Sequence, residues 1–149
     1  MFLARHYIAP LLLVGLLGCD NHSNSHSESH DPNIIDHQVH KELNLSLNGT
    51  AKWKMDDHTR RMFARMDTKF EGIDAASVGN DQIRSLGRSL DDDIKTLIAG
   101  CTMVGEAHNE LHKYLVAFMP AVGELMKSGT LKDAQTVQSL LKVYPQYFE

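Results

Sequence analysis

Residues 104–125 read VGEAHNELHKYLVAFMPAVGEL, and a set of mostly apolar positions recurs through them in steps of four and three. These positions are Val104, His108, Leu111, Leu115, Phe118, Val122 and Leu125. Steps of four and three place side chains along one face of an α-helix. The stretch therefore predicts a helix that packs this face against other helices, with a kink at Pro120 near its middle.

Two further helices are predicted ahead of this one. The first runs from about residue 57 to residue 75, with a face made of Thr59, Met62, Phe63, Met66, Phe70 and Ile73. After a turn at residues 77–80, the second carries the stripe Ile83, Leu86, Leu90, Ile94, Leu97 and Ile98. Residues 91–93 are three aspartates that fall mostly on its solvent face as a solvated run of charge. Gly100-Cys101-Thr102 then predicts a break before the third helix.

A fourth helix follows the turn at residues 128–130. Thr130 and Asp133 resemble a capping pair, and the apolar positions run from Leu131 to Tyr144, stopping before Pro145. Four amphipathic helices with short turns predict an all-α domain over residues 41–149, an antiparallel four-helix bundle. The alternative is a second and third helix that continue through Cys101, which would leave a three-helix hairpin.

Smaller signals lie ahead of the first helix. Leu43, Leu45 and Leu47 alternate with polar residues and run into Asn48-Gly49, which predicts a short extended segment and a turn. Residues 56 and 57 are both aspartate and can cap the first helix.

The composition fits a single folded domain and excludes several classes of protein. Of its 149 residues, 42% are hydrophobic and 23% are charged, with a formal net charge of −4. Such a chain lacks the basic surplus that neutralises phosphates, so no nucleic-acid partner is expected. Its two cysteines exclude a disulfide framework and multi-cysteine zinc modules.

Residues 1–18 are predicted to be a lipoprotein signal peptide. Arg5 precedes an apolar run at residues 8–17, which is too short to span a bilayer. Leu16-Leu17-Gly18-Cys19 resembles the bacterial lipobox, which implies removal of residues 1–18 and attachment of acyl chains such as palmitate to Cys19. Asp20 resembles the enterobacterial signal for retention at the inner membrane. These resemblances imply a lipid-anchored protein of the cell envelope that faces the periplasm; the alternative is a plain secretory signal with a chance cysteine.

Residues 19–40 are predicted to form a flexible tether between membrane and domain, because few apolar groups offset the cost of ordering them. The tether contains five of the nine histidines, His22, His26, His30, His37 and His40. Such a tract can capture borderline metal ions in an auxiliary role. The alternatives are a polar spacer and a pH sensor.

The candidate metal ligands lie near the start of the third helix. His108 and His112 are one helical turn apart, so both imidazoles can reach one ion. Met62 and Met66 have the same spacing and would add thioethers if the first helix faces the third. Together with a thiolate from Cys101, such soft sulfur ligands favour copper, especially Cu(I).

Two considerations oppose this site. In a continuous helix Cys101 would lie about 10 Å before His108, so it joins the set only if the turn at Gly100 folds it back. Alternatively, His108 is a core residue that hydrogen-bonds to Glu106 or Glu110, and the sulfur-containing residues are packing.

The motif CTMVGEAHNELH at residues 101–112, with Trp53 after a glycine-containing turn and the Met62/Met66 helix, resembles a group of small bacterial periplasmic or lipid-anchored helical proteins. The likeness covers residues 43–126, most of the predicted domain. It implies an intact domain of a recurring type, and it supplies neither an activity nor catalytic residues.

The sequence therefore predicts a membrane-anchored lipoprotein that binds copper for buffering or for transfer to a metal-handling protein partner. One alternative is a non-enzymatic accessory or interaction module without metal. The other is a b-type haem held between Met62 and His108 or His112. No enzymatic activity is expected, because no carboxylate pair, metalloprotease motif or activated nucleophile is evident from the spacing.

Overall fold

The computed structural model describes residues 43–71, 73 and 77–149. The helices of this part are α1 (Asp57–Thr68), α2 (Asn80–Gly100), α3 (Glu106–Ser128) and α4 (Leu131–Tyr147). The described part is all-α, as predicted, and α2 and α3 are separate helices. Its helices are too short or too polar to cross a membrane. The predicted signal peptide, Cys19 and the histidine-rich tether lie outside the described residues.

Neighbouring helices run in opposite directions. His58 at the start of α1 has Nε2 3.1 Å from the Thr96 carbonyl near the end of α2. Arg84 at the start of α2 donates from Nε to the Lys127 carbonyl at the end of α3, 3.3 Å away. Only residues 101–105 link α2 to α3, and only residues 129–130 link α3 to α4. Links this short join antiparallel neighbours, which gives a helical bundle.

Aromatic rings from α1, α3 and α4 fill the centre of the bundle. Phe63 stacks on Tyr144 with ring centroids 3.7 Å apart and meets the edge of Tyr114 at 5.5 Å. The Tyr114 hydroxyl donates to the Leu140 carbonyl at 2.9 Å, and burial raises the pKa of this phenol well above its ordinary value. Tyr114 therefore stays neutral and joins α3 to α4 through a buried hydrogen bond.

The heptad of α3 is buried from Leu111 to Leu125, as the spacing predicts. The prediction is wrong for the first position of the heptad, because Val104 precedes the helix and is 86% exposed. Pro120 lies inside α3, which continues past it to Ser128.

Two helix ends differ from the prediction. α1 ends at Thr68, not near Ala75, because the chain tightens into bonds between residues three apart, such as Phe70 N–H to the Asp67 carbonyl at 3.0 Å. α4 continues through Pro145 to Tyr147. Pro145 has no N–H to donate, so the helix reaches Tyr147 with one backbone hydrogen bond fewer.

The prediction that residues 91–93 lie mostly on the solvent face is wrong for Asp93. Its side chain is buried and pairs with Arg65 at 3.2 Å and with Lys69. α1 packs against this side of α2 and brings both cations to the carboxylate, which offsets the cost of burying its charge.

Both predicted caps are confirmed. Asp56 is the N-cap of α1 and accepts the backbone N–H of Thr59 at 2.7 Å. Thr130 caps α4 by accepting the backbone N–H of Asp133 at 3.2 Å. The Asn48-Gly49 turn is also present, closed by two backbone hydrogen bonds between Asn48 and Ala51. Beyond this turn, Trp53 pairs with Phe148, so the segment before α1 is attached to the end of α4.

Candidate metal-binding groove

A groove of about 280 Å³ lies between the end of α2 and the first half of α3. It is lined by Leu97, Ile98, Cys101, His108, Leu111, His112, Leu115, Val116 and Met119. Two other cavities, of about 360 and 250 Å³, contain neither cysteine nor histidine in their walls. The groove therefore combines the three polar candidates of the sequence with an apolar wall.

The link between α2 and α3 turns Cys101 back toward His108. α2 ends at Gly100, and Cys101 leaves the helix in an extended conformation, with φ −70° and ψ 121°. Gly105 then directs the chain into α3 with φ +80°, a conformation that glycine adopts without strain. As a result, Sγ of Cys101 lies 3.6 Å from Nδ1 of His108. The chain after Gly100 thus folds back far enough to bring Cys101 next to His108, as a joint site requires.

The start of α1 holds this link in place. The backbone N–H of Asp56 donates to Sδ of Met103 at 3.3 Å. The hydroxyl of Thr102 lies 3.5 Å from Oδ2 of the Asp56 carboxylate. The His58 ring covers Gly100 so closely that an added Cβ there would lie 2.4 Å from Nε2. Met103 therefore faces α1 and positions the link. Local sequence patterns do not predict this contact, because Met103 lies outside any periodic segment.

The two histidines of α3 lie side by side on the groove. Their ring centroids are 4.4 Å apart and the ring planes are inclined by 62°. His108 is half-buried against Cys101, whereas His112, one turn further along α3, is exposed. The predicted placement of both imidazoles on one face of the helix, one turn apart, is confirmed.

Glu110 does not hydrogen-bond to His108, contrary to one alternative. Its buried carboxylate accepts the Ser46 hydroxyl and, at 2.9 Å, the Lys113 ammonium. Burial alone would raise the pKa of Glu110, but these two contacts outweigh it and hold the pKa below its ordinary value. Glu110 is thus an anchor for the segment before α1, and the polar partner of His108 within the described residues is Cys101.

Met62 and Met66 are not brought to the histidine pair. Both are buried on α1, which packs against α2 and α4 and lies diagonally across the core from α3. Neither lines the groove, so the predicted thioether contribution lacks its geometric condition. Met119 does line the groove, but it lies seven residues beyond His112, about 10 Å along the helix.

The described part of the chain does not bring three ligand side chains around one point. Among the described residues, no group of three or more His, Cys, Asp or Glu side chains is arranged to hold a metal ion. The preformed element is the Cys101–His108 pair, and His112 lies next to it.

Comparison with known proteins adds no family to this geometry. No protein-family model, curated protein or solved structure matches the chain. The resemblance of residues 101–112 to small periplasmic proteins stays a prediction.

Proposed function

We propose that the protein is a membrane-anchored periplasmic lipoprotein whose helical domain binds a soft metal ion, copper above all, for buffering or transfer. The observation that carries the proposal is the 3.6 Å separation of Cys101 Sγ and His108 Nδ1. An ion with sulfur at about 2.3 Å and nitrogen at about 2.0 Å has a sulfur–nitrogen edge of about 3.5 Å in tetrahedral geometry and about 3.7 Å in the trigonal geometry of three ligands. The pair is therefore spaced to share one ion with little change in the backbone.

The donor types favour copper. Thiolate and imidazole ligands prefer copper and zinc to magnesium and calcium. Structural zinc sites almost always have four protein ligands, whereas the groove supplies at most three such donors, Cys101, His108 and His112. Cu(I) is stable with two or three ligands, and the Cys101 thiolate supplies the soft donor that it prefers, so it suits this set better than a structural zinc does.

The N-terminal segment supports a role at the envelope. Two or three acyl chains on Cys19 would anchor the protein stably, where a single chain would not. The tether histidines between residues 22 and 40 would act as an auxiliary collector of ions, with weak and rapid exchange. After cleavage before Cys19 and acylation of its sulfur, Cys101 would be the one thiol of the chain and would have no intrachain disulfide partner. A metal-handling protein is the expected partner, and no catalytic role is assigned.

The proposal is tested by anaerobic Cu(I) titration against a chromophoric chelator. The protein is the full chain in detergent with Cys19→Ser and with Asn in place of the five tether histidines, hereafter the reference variant. We expect one tight equivalent, with affinity at least about 100-fold lower in Cys101→Ser and His108→Ala. Met62→Leu is the matched control and should bind as the reference variant does. Failure of the reference variant to compete with the chelator would contradict the proposal.

A second candidate, an interaction module without metal, is favoured by one observation. Ile98, Val116 and Met119 line the groove and are 51%, 74% and 44% exposed. Exposed apolar residues that cluster in this way mark contact surfaces for proteins. Val116→Ser should then abolish cross-linking to an envelope partner, and the reference variant should bind no Cu(I). Equal cross-linking in Val116→Ser and wild type would remove this candidate.

A further inference from the structure

Cys101 and His108 are fixed by backbone structure on both sides. Cys101 follows directly on the last residue of α2, which the His58 ring covers, and Met103 ties the link to α1. His108 is in the first turn of α3, and its ring is half-buried. Neither donor can move far unless a helix end moves with it.

His112 is held much less firmly. Its side chain is exposed, and within the described residues no hydrogen bond or ion pair fixes its ring. The ring meets the His108 ring edge-on, at 4.4 Å between centroids. Rotation about its side-chain bonds is therefore enough to bring a nitrogen toward the Cys101–His108 pair or to withdraw it.

We infer that Cys101 and His108 form a holding pair for Cu(I) and that His112 is an exchangeable closing ligand. This inference rests on the proposed function. With His112 bound, the ion has three ligands and is retained. With His112 rotated away, the ion has two ligands and one side open to the groove.

The open side gives a route for transfer to a partner with soft donors, such as a thiolate. The copper–nitrogen bond to His112 breaks, a copper–sulfur bond to the incoming thiolate forms, and the imidazole leaves as a neutral base. Copper stays Cu(I) throughout, so the exchange needs neither oxidant nor reductant. A second donor of the partner then binds the ion as the copper bonds to Cys101 and His108 break, and Cys101 leaves as a thiolate that takes up a proton from water.

The test combines equilibrium and kinetic measurements on the reference variant. Cu(I) affinity is measured by chelator competition, and the release rate by stopped-flow extraction with excess chelator. We expect His112→Ala to keep one equivalent, to bind about tenfold more weakly and to release copper about tenfold faster. His108→Ala should lose at least about 100-fold in affinity. Met119→Leu, at the far end of the groove, is the control and should change neither quantity.

Three results would overturn the inference. If His112→Ala weakens binding as much as His108→Ala, the histidines are equivalent ligands, although the copper proposal stands. If His112→Ala changes neither affinity nor release rate, His112 is not a ligand. If the reference variant binds no Cu(I), the proposed function and the inference fail together. Circular dichroism of His112→Ala checks that substitution at this exposed position leaves the helices intact.

Discussion

Sγ of Cys101 lies 3.6 Å from Nδ1 of His108, and three helices determine this contact. The end of α2 delivers the cysteine, and the first turn of α3 delivers the histidine. The start of α1 holds the link between them through Asp56 and Met103. The candidate ligand pair thus depends on three helices and not on one.

Replacing Met103 with leucine should loosen this link. Leucine fills the space of methionine but cannot accept the Asp56 N–H, which lies 3.3 Å from Sδ. We expect the free energy of unfolding, measured in urea, to fall by about 1 kcal/mol and the Cu(I) affinity to fall with it. Met119→Leu, an exposed control, should cost less than about 0.5 kcal/mol. Unchanged stability and affinity in Met103→Leu would show that the link is positioned by other contacts.

Replacing Asp93 with asparagine should destabilise the fold. The change leaves Lys69, which is only 19% exposed at its side chain, without its buried counter-ion. We expect the free energy of unfolding to fall by about 2–3 kcal/mol. This is at the low end of the cost of breaking a buried ion pair, because Lys69 retains some contact with solvent. Asp92→Asn, at the neighbouring exposed position, is the control and should stay within about 0.5 kcal/mol of wild type. Equal urea midpoints for both variants would show that the Asp93 ion pairs add no stability.

Acid should weaken the cap of α4. The hydroxyls of Ser128 and Thr130 donate to the Asp133 carboxylate and hold its pKa below the ordinary value of 3.8. Stability from a carboxylate with a lowered pKa is fully present above 3.8 and is lost as the pH falls through the folded-state pKa. Asp133→Asn should therefore be less stable than wild type in urea at pH 7, and the difference should shrink toward pH 2. A difference that is constant from pH 7 to pH 2 would contradict the role of the charged form.

Two glycines near the end of α3 should respond in opposite directions to alanine. Gly129 has φ +63°, and an added Cβ would lie 2.4 Å from the Asn80 carbonyl oxygen, so Gly129→Ala should cost about 2 kcal/mol or more. Gly123 has open space around it within the helix, so Gly123→Ala should add about 0.5–1 kcal/mol. Thermal unfolding should show a lower midpoint for the first variant and a higher one for the second. A raised midpoint for Gly129→Ala would mean that the helix end does not need its left-handed conformation.

The sequence predicts those parts of the fold that depend on local spacing. The four helices, the caps at Asp56 and Thr130 and the shared face of His108 and His112 all follow from intervals of three or four residues. The burial of Asp93 could not be predicted in this way, because the cations that pair with it come from the end of α1 and the residue that follows it.

The same limit explains the ligand set. The burial of Met62 on α1 was predicted correctly. The spacing of residues within α1 does not say which other helix Met62 will contact. The role of Met103 depends on a link with no periodicity, so no local pattern could reveal it. The sequence could not decide whether Cys101 contacts His108, because the contact requires α2 to end at Gly100.

Copper K-edge X-ray absorption of the Cu(I)-loaded reference variant tests the proposed site most directly. We expect one sulfur at about 2.3 Å and one or two imidazole nitrogens at about 2.0 Å, close to the distances at which zinc binds the same donors. Cys101→Ser should remove the sulfur shell. A shell of two or more sulfurs, a shell of nitrogen alone, or a sulfur shell that persists in Cys101→Ser would contradict the Cys101–His108 site.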